Sequence, residues 1–372
     1  MASTTCRAYT DPIGYVISNQ AKKPITFAIA QRRIGYDTPP YVIAELSGNH
    51  NGELSRALRL IDVAAEAGVD AVKLQTYRAD TITIDHDGPG FRINEGLWEG
   101  RTLYELYEEA HTPWEWHPAL FDHARSLGLA IFSSPFDETA IDFLETLDVP
   151  AYKIASFEAI DIGLIMAAAR TGKPLIISTG LANLDEIEQA ITAARNSGDG
   201  GVALLHCVSG YPTPVGEANL ATISDMAARF EANVGLSDHT MSTAVPVAAV
   251  ALGAVIIEKH ITLARADGGP DAEFSLEPDE LAQLVTQVHD AWQARGEVGY
   301  SRKPSEAAML PFRRSLYVVA DVAEGEIFDN NNVRSIRPGL GLPPRELPQI
   351  LGRRASRDLA RGTPLAHGDI DE

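Results

Sequence analysis

Eight short apolar runs recur between residues 41 and 263, and nearly every one ends in polar, chemically capable residues. They are YVIAELSGNH from Tyr41, AVKLQTY from Ala71, LAIFSSPFD from Leu129 and AYKIASFE from Ala151, followed by PLIISTG from Pro174, VALLHCVS from Val202, ANVGLSDHT from Ala232 and VIIEKHITL from Val255. Helix-period segments separate them. SRALRLIDVAAEAG (55–68) is amphipathic and stops at Gly68, and TPWEWHPALFDHARSLG (112–128) opens on a Thr-Pro start signal and stops at Gly128. DETAIDFLETLDVP, NLDEIEQAITAARNSG and STAVPVAAVALG follow the same pattern. Such alternation implies parallel strands joined by crossover helices. Eight units close a barrel, where fewer would leave an open sheet. The expected fold is therefore α/β, a (β/α)8 TIM barrel, whose active site lies at the C-terminal ends of the strands.

The rest of the chain divides around that barrel (41–295). Residues 1–40 are irregular, with a short hairpin expected around FAIAQRRIGYD, and should cap the bottom of the barrel. Residues 296–312 read as a linker, and 313–372 as a small, mostly β module broken by Gly and Pro. Alone that module is small for a stable core, so docking onto another surface is expected. The second crossover is unusual. Its insertion, DHDGPGFRINEGLWEGRTLYELYEEAH within 79–111, is long and rich in Gly and aromatics, which suits a lid or specificity loop at the mouth.

Composition excludes several classes. The net charge of −20 argues against nucleic acid or an anionic membrane as partner, although a few inward Lys or Arg can still hold an anionic substrate. No apolar stretch reaches the length of a membrane helix. MASTTCRAYTDPIGYV carries no secretory pattern, and Cys6 and Cys207 form no disulfide framework, so a cytoplasmic protein is expected.

Strand residues two apart share a face. In AVKLQTY, Lys73 and Gln75 point inward if the helices cover Val72 and Leu74. An inward lysine near the mouth means either a bound anion or an internal salt bridge with Glu45. Ser237 and His239 share one face, as do Glu258 and His260. Two histidines on adjacent strand ends, with carboxylates nearby, suit a divalent metal with open positions; either alone would more simply be a hydrogen-bonded core residue. Asp271 lies in the turn just beyond. On AYKIASFE, simple alternation sets Lys153 opposite Ser156 and Glu158, so a bulge or the strand end must re-aim one of them. Ser134, Ser209 and Tyr211 add hydroxyls that, with Lys73 and Lys153, resemble a phosphate cradle.

In this order, AELSGNHNG, KLQTY, FSSPFD, YKIASFE, HCVSGYPTP, GLSDHT and EKHIT resemble the sialic acid synthase family. SIRPGLGL and ILGRRASRDLARGTPL resemble that family's antifreeze-like (SAF) domain. GLWEGRTLYELYEEAHTPWEWH and KIASFE look most like its pseudaminic acid synthases. The resemblance implies that phosphoenolpyruvate condenses with an open-chain acylamino sugar and water to give a nonulosonic acid and phosphate. It implies a divalent metal, Mn2+ before Mg2+ or Co2+, on His239 and His260, which also holds the aldehyde oxygen. It assigns Lys73, Ser134, Lys153, Ser156 and Ser237 to phosphoenolpyruvate, and Glu45, Gln75, Glu158, Tyr211 and Asp271 to the sugar and water side. It further implies a homodimer in which Arg337 reaches the partner's sugar.

Two departures bear on the substrate. Ser209-Gly210-Tyr211-Pro212 stands where N-acetylneuraminate synthases carry NxYP, and their sugar-binding asparagine has no clear counterpart. Leu97 and Trp98 lie there instead, an apolar patch that favours 2,4-diacetamido-2,4,6-trideoxy-L-altrose over N-acetylmannosamine. An N-acetylneuraminate or legionaminate synthase is the alternative within the class. Outside it stand a binding protein with an inactive barrel and an aldolase using a Schiff-base lysine.

Overall fold

A computed structural model describes residues 27–371, and the chain divides into two compact units between Gly296 and Glu297. The part of the expected N-terminal cap before residue 27, with Cys6, lies outside the described residues. The first unit opens on an antiparallel hairpin, β1 (Phe27–Ile29) and β2 (Arg32–Ile34). Ile29 and Ile34 are buried in the main core. Arg32 pairs with Asp70, whose carboxylate also accepts from the Val42 amide at 2.8 Å. Phe27 lies against Gly201. Asp70 and Gly201 both precede strands, so the hairpin sits at the N-terminal ends of the barrel strands.

The eight apolar runs become β3 (Tyr41–Glu45), β4 (Ala71–Thr76), β5 (Ala130–Pro135), β6 (Tyr152–Ile154), β7 (Leu175–Ser178), β8 (Val202–Cys207), β9 (Asn233–Asp238) and β10 (Ile256–His260). All are parallel in sequence order, and β10 closes onto β3 with His260 opposite Glu45. Their residues are almost all buried, as expected when helices cover one face and packed side chains fill the other. The helix boundaries follow local chemistry. Leu54–Ala67 ends where Gly68 takes a left-handed φ of 80° and donates back to the carbonyls of Ala64 and Ala65. Glu138–Glu145 starts on an Asp137 cap, and Leu184–Ser197 on a reciprocal Asn183–Glu186 capping box.

One expected helix starts late. Thr112-Pro113 opens a 3-10 turn over Trp114–Trp116, and the α-helix runs only His117–Ser126. Thr112 is buried and its hydroxyl caps nothing, while Trp114 donates its indole N–H to the Tyr77 carbonyl and stacks on Phe143. Tertiary packing of that indole overrides the local start signal. The insertion carries two short helices, Ala79–Ile82 and Leu103–Ala110, the second begun by a Thr102–Glu105 capping box.

The second unit is small and loop-rich. A 3-10 segment, Pro304–Phe312, precedes β11 (Ser315–Val318), which pairs antiparallel with β12 (Val333–Ile336) over a core that includes Leu316, Val318, Phe328, Val333 and Leu365.

Barrel closure leaves no room at Gly235 on β9. A Cβ there would stand 2.3 Å from the Ile256 carbonyl oxygen and 2.7 Å from a Leu205 methyl. Backbone cannot retreat inside a paired strand, so Gly235→Ala should cost about 1–3 kcal/mol. The urea midpoint should fall with an unchanged m value; an unchanged midpoint would mean that β9 is free to shift.

Candidate active site

The C-terminal strand ends surround a cavity of about 610 Å³. Its floor is built by strand parity: Lys73 and Gln75 from β4, Lys153 from β6, Ser178 from β7, Ser237 from β9, and Glu258 and His260 from β10. The lysines are almost fully buried, and each is held by carboxylate. Lys73 Nζ lies 2.5 Å from Glu45 and 3.6 Å from Glu258, and donates to Ser134 Oγ at 3.2 Å. Lys153 Nζ lies 3.3 Å from Glu258, and Ser237 donates to Glu258 at 3.1 Å. Gln75 donates to Glu45 at 3.1 Å. Lys73 thus meets both expectations, since it pairs with Glu45 and also lines the cavity.

The four charges titrate unequally. Burial alone would pull both lysines down. For Lys73 the neighbouring Glu258 and Glu45 outweigh burial and hold it above the usual range, whereas Lys153 stays below. Burial wins at Glu45, whose pKa is raised despite Lys73. At Glu258 burial is overcome by Lys153 and Lys73, and the carboxyl stays below its usual value. Glu258 Oε2, Glu158 Oε2 and Ser178 Oγ are buried without a hydrogen-bond partner. Unpaired polar atoms of this kind mark a place where a ligand or water belongs.

The parity conflict on AYKIASFE is resolved without a bulge. β6 ends at Ile154, and the backbone turns into a 3-10 helix over Phe157–Ile160, with Ser156 already at φ −61° and ψ −40°. The turn swings Ser156 and Glu158 to the side where Lys153 points, and all three line the cavity. Gly180 lies beside them; a Cβ there would stand 2.3 Å from Ser209 Oγ and 2.7 Å from Ser156 Oγ. The missing side chain leaves a hollow edged by hydroxyls. Glu158, desolvated by burial, has its pKa pushed up to about 7.

His239 and His260 face each other with ring centroids 5.3 Å apart. His239 Nδ1 lies 3.1 Å from the Val208 carbonyl oxygen, and His260 Nδ1 lies 3.3 Å from Ser47 Oγ. A carbonyl only accepts, so His239 carries a proton on Nδ1; against burial, the Cys207 thiol and the Val208 carbonyl hold its pKa above the usual value. Burial holds His260 well below its usual pKa, which keeps it neutral. Two rings with their Nδ1 sides engaged and Nε2 unpaired among the described residues offer, once His239 has given up its extra proton, the donor set a divalent cation needs. No group of three or more His, Cys, Asp or Glu suited to a metal occurs among the described residues, so substrate or water would complete the coordination.

The opposite wall is apolar. Ile82, Ile93, Trp98, Leu103 and Leu106 of the insertion all line the cavity. Trp98 donates its indole N–H to the Pro270 carbonyl at 2.7 Å and tilts over Tyr211 at 5.7 Å. Its polar edge is therefore engaged by the loop carrying Asp271, leaving its ring for the cavity.

Of the residues singled out from sequence, Lys73, Gln75, Lys153, Ser156, Glu158, Ser209, Tyr211, Ser237, His239, His260 and Asp271 line this cavity. Glu45 and Ser134 stand behind the wall, bonded to Lys73. Leu97 does not line the cavity and is 38% exposed, because the turn carrying GLWEG presents Trp98 inward instead. Arg337 follows β12 in the second unit and is exposed. Ser178, Tyr107 and Phe274 also line the cavity, although sequence reasoning does not single them out. It places Glu258 on the right face without giving it work. Ser178 ends a β-run whose parity could have flagged it; Tyr107 and Phe274 come from segments whose fold the sequence leaves open.

The NeuB family model matches residues 60–300, and the SAF domain model matches 313–371. The chain is 42% identical over 334 residues to the pseudaminic acid synthase of Helicobacter pylori, covering 90% of this chain and 98% of that protein. It is 37% identical over 339 residues to the N,N'-diacetyllegionaminic acid synthase of Legionella pneumophila, covering 89% and 94%. Among solved structures, the N-acetylneuraminic acid synthetase of Leptospira borgpetersenii aligns with a TM-score of 0.69 at 33% identity, covering 77% of this chain and 95% of that one. With a barrel, a lysine-floored cavity and a trailing SAF module in the expected order, the chain belongs to the NeuB family.

Proposed function

We propose that this chain condenses phosphoenolpyruvate with 2,4-diacetamido-2,4,6-trideoxy-L-altrose and water, giving pseudaminic acid and phosphate. The observation that carries this reading is the divided cavity: a floor with two buried lysines faces a wall of Ile82, Ile93, Trp98, Leu103 and Leu106. The floor suits a multiply charged enol phosphate. The wall suits the methyl group of a 6-deoxy sugar, where the 6-hydroxyl of N-acetylmannosamine would lose water without gaining a partner. The relatives named pseudaminic acid synthase support the same choice. The relative named N,N'-diacetyllegionaminic acid synthase makes a legionaminate synthase the second reading.

In this reading Lys73, Lys153, Ser156, Ser209 and Ser237 hold phosphoenolpyruvate, Ser134 supports it from behind through Lys73, and Ser178 is added by its place in the cavity. Gln75, Tyr211 and Asp271 line the sugar side, with Glu45 behind them bonded to Gln75 and Lys73. Carbon 3 of the enol forms the new bond to the aldehyde carbon, and positive charge appears at carbon 2. The Glu158 carboxylate stabilises that charge and orients the water that adds to carbon 2. The carbon–oxygen bond to phosphate then breaks, and the lysines offset the charge of the departing phosphate. A divalent metal, Mn2+ first, bound by His239 and His260 would act as a Lewis acid toward the aldehyde. Tyr211 and Phe274 pack against the two imidazoles and restrict their rotation.

Arg337 of a second copy would complete the sugar site in a homodimer, a reading supported by its exposure and by Ile336 and Leu340, the exposed apolar side chains near it. We assign the reaction to the cytoplasm, where phosphoenolpyruvate is made; among the described residues no helix is long and apolar enough to cross a membrane.

Incubation with phosphoenolpyruvate, Mn2+ and each candidate sugar, followed by mass spectrometry, should give product from the 2,4-diacetamido-6-deoxy sugar; product from N-acetylmannosamine alone would overturn the assignment. Because Glu158 must be ionised to act, kcat should rise with pH through about 7. Glu158→Gln should lower kcat at least about a hundredfold and remove that limb; a retained limb would assign it to another group.

A further inference from the structure

Ser47 lies in the turn after β3, is buried, and adopts a φ of 43°. This is the left-handed region, which residues with a Cβ enter at a cost and glycine enters freely. The turn does not need a serine for its backbone contacts. Ser47 N–H donates to Glu45 Oε1 at 3.1 Å, and a glycine would make the same bond. What a glycine would lack is the hydroxyl. That hydroxyl lies 3.3 Å from His260 Nδ1. The turn is pressed against the segment that carries Asp271: a Cβ on Gly48 would stand 2.8 Å from Pro270 Cγ.

A hydroxyl both donates and accepts, so Ser47 Oγ can engage His260 Nδ1 in either tautomer and hold the ring in one orientation. That leaves Nε2 without a protein partner among the described residues. The Val208 carbonyl engages Nδ1 of His239 from a separate direction. The strained turn is thus explained by what its side chain does for the neighbouring strand.

We propose that Ser47 is a positioning residue whose hydroxyl holds the ring of His260 in the orientation that metal binding needs. The proposal rests on the reading of His239 and His260 as the metal pair. Partners of this kind behind a ligating histidine are commonly worth about 10–100-fold in metal affinity.

The test is Mn2+ binding to the full chain without substrates, followed by electron paramagnetic resonance, beside thermal melting. Ser47→Gly removes the hydroxyl and relieves the backbone. It should raise the Mn2+ Kd about tenfold or more while melting no lower than the parent, a combination that a merely structural serine would not produce. Ser47→Ala should weaken binding similarly and melt below Ser47→Gly. A Ser47→Gly Kd within twofold of the parent, with binding lost in His260→Ala, would overturn the role of Ser47 and leave the metal pair standing. So would weaker binding accompanied by a lower melting temperature in Ser47→Gly. Undiminished Mn2+ binding in both His239→Ala and His260→Ala, or none in the parent, would instead remove the metal pair itself.

Discussion

Two lysines and two carboxylates enclosed in a barrel have to neutralise one another, and much of the mouth is arranged around that requirement. Lys73, Lys153, Glu45 and Glu258 come from neighbouring and facing strands and touch within 2.5–3.6 Å. At an effective dielectric of about 20, a unit pair at roughly 4 Å gains about 4 kcal/mol. Desolvation costs several kcal/mol per buried ion. The two nearly cancel, so the cluster adds little to stability, and an apolar core of the same volume would fold at least as well. Its retention is better explained by what it can do. When an anionic substrate arrives, the lysines are already dehydrated and aimed, and the interaction need not pay for their ordering again.

The cluster also sets where everything else can sit. Glu258 shares a strand face with His260, and Glu45 lies opposite His260 across the closing strand pair. The charge balance and the metal pair therefore meet on β10, where Glu258 and His260 stand two residues apart on one face. Above them the insertion supplies what strands cannot, a broad apolar surface, and Trp98 fastens that surface to Pro270, beside Asp271. A polar floor built on rigid strands and an apolar wall built on a tethered loop let one barrel hold the common substrate firmly while the loop sets which sugar fits.

Much of this arrangement is legible in the amino-acid sequence. Period-two alternation puts Lys73 and Gln75, Ser237 and His239, and Glu258 and His260 on the inner face, because a closed parallel barrel leaves each strand no other option. What the alternation does not carry lies where strands end. Ser156 and Glu158 reach the cavity through a turn whose dihedrals no parity rule contains. The start of the helix at His117 is decided by an indole finding the Tyr77 carbonyl, a contact between distant segments. Leu97 and Trp98 are indistinguishable as neighbouring apolar residues until the turn chooses between them. Ser47 is the sharpest case: its importance lies in a positive φ and a side-chain partner, His260, more than 200 positions away.

The central claim is that the buried lysines form the anion floor of the cavity. Isothermal titration of phosphoenolpyruvate into the full chain, with and without Lys153→Met, tests it most directly. The account predicts measurable binding that weakens at least about tenfold in the variant, whose far-ultraviolet spectrum should match the parent, because removing Lys153 leaves the Glu258 charge less compensated beside the incoming anion. Equal affinity in the two folded proteins would contradict it.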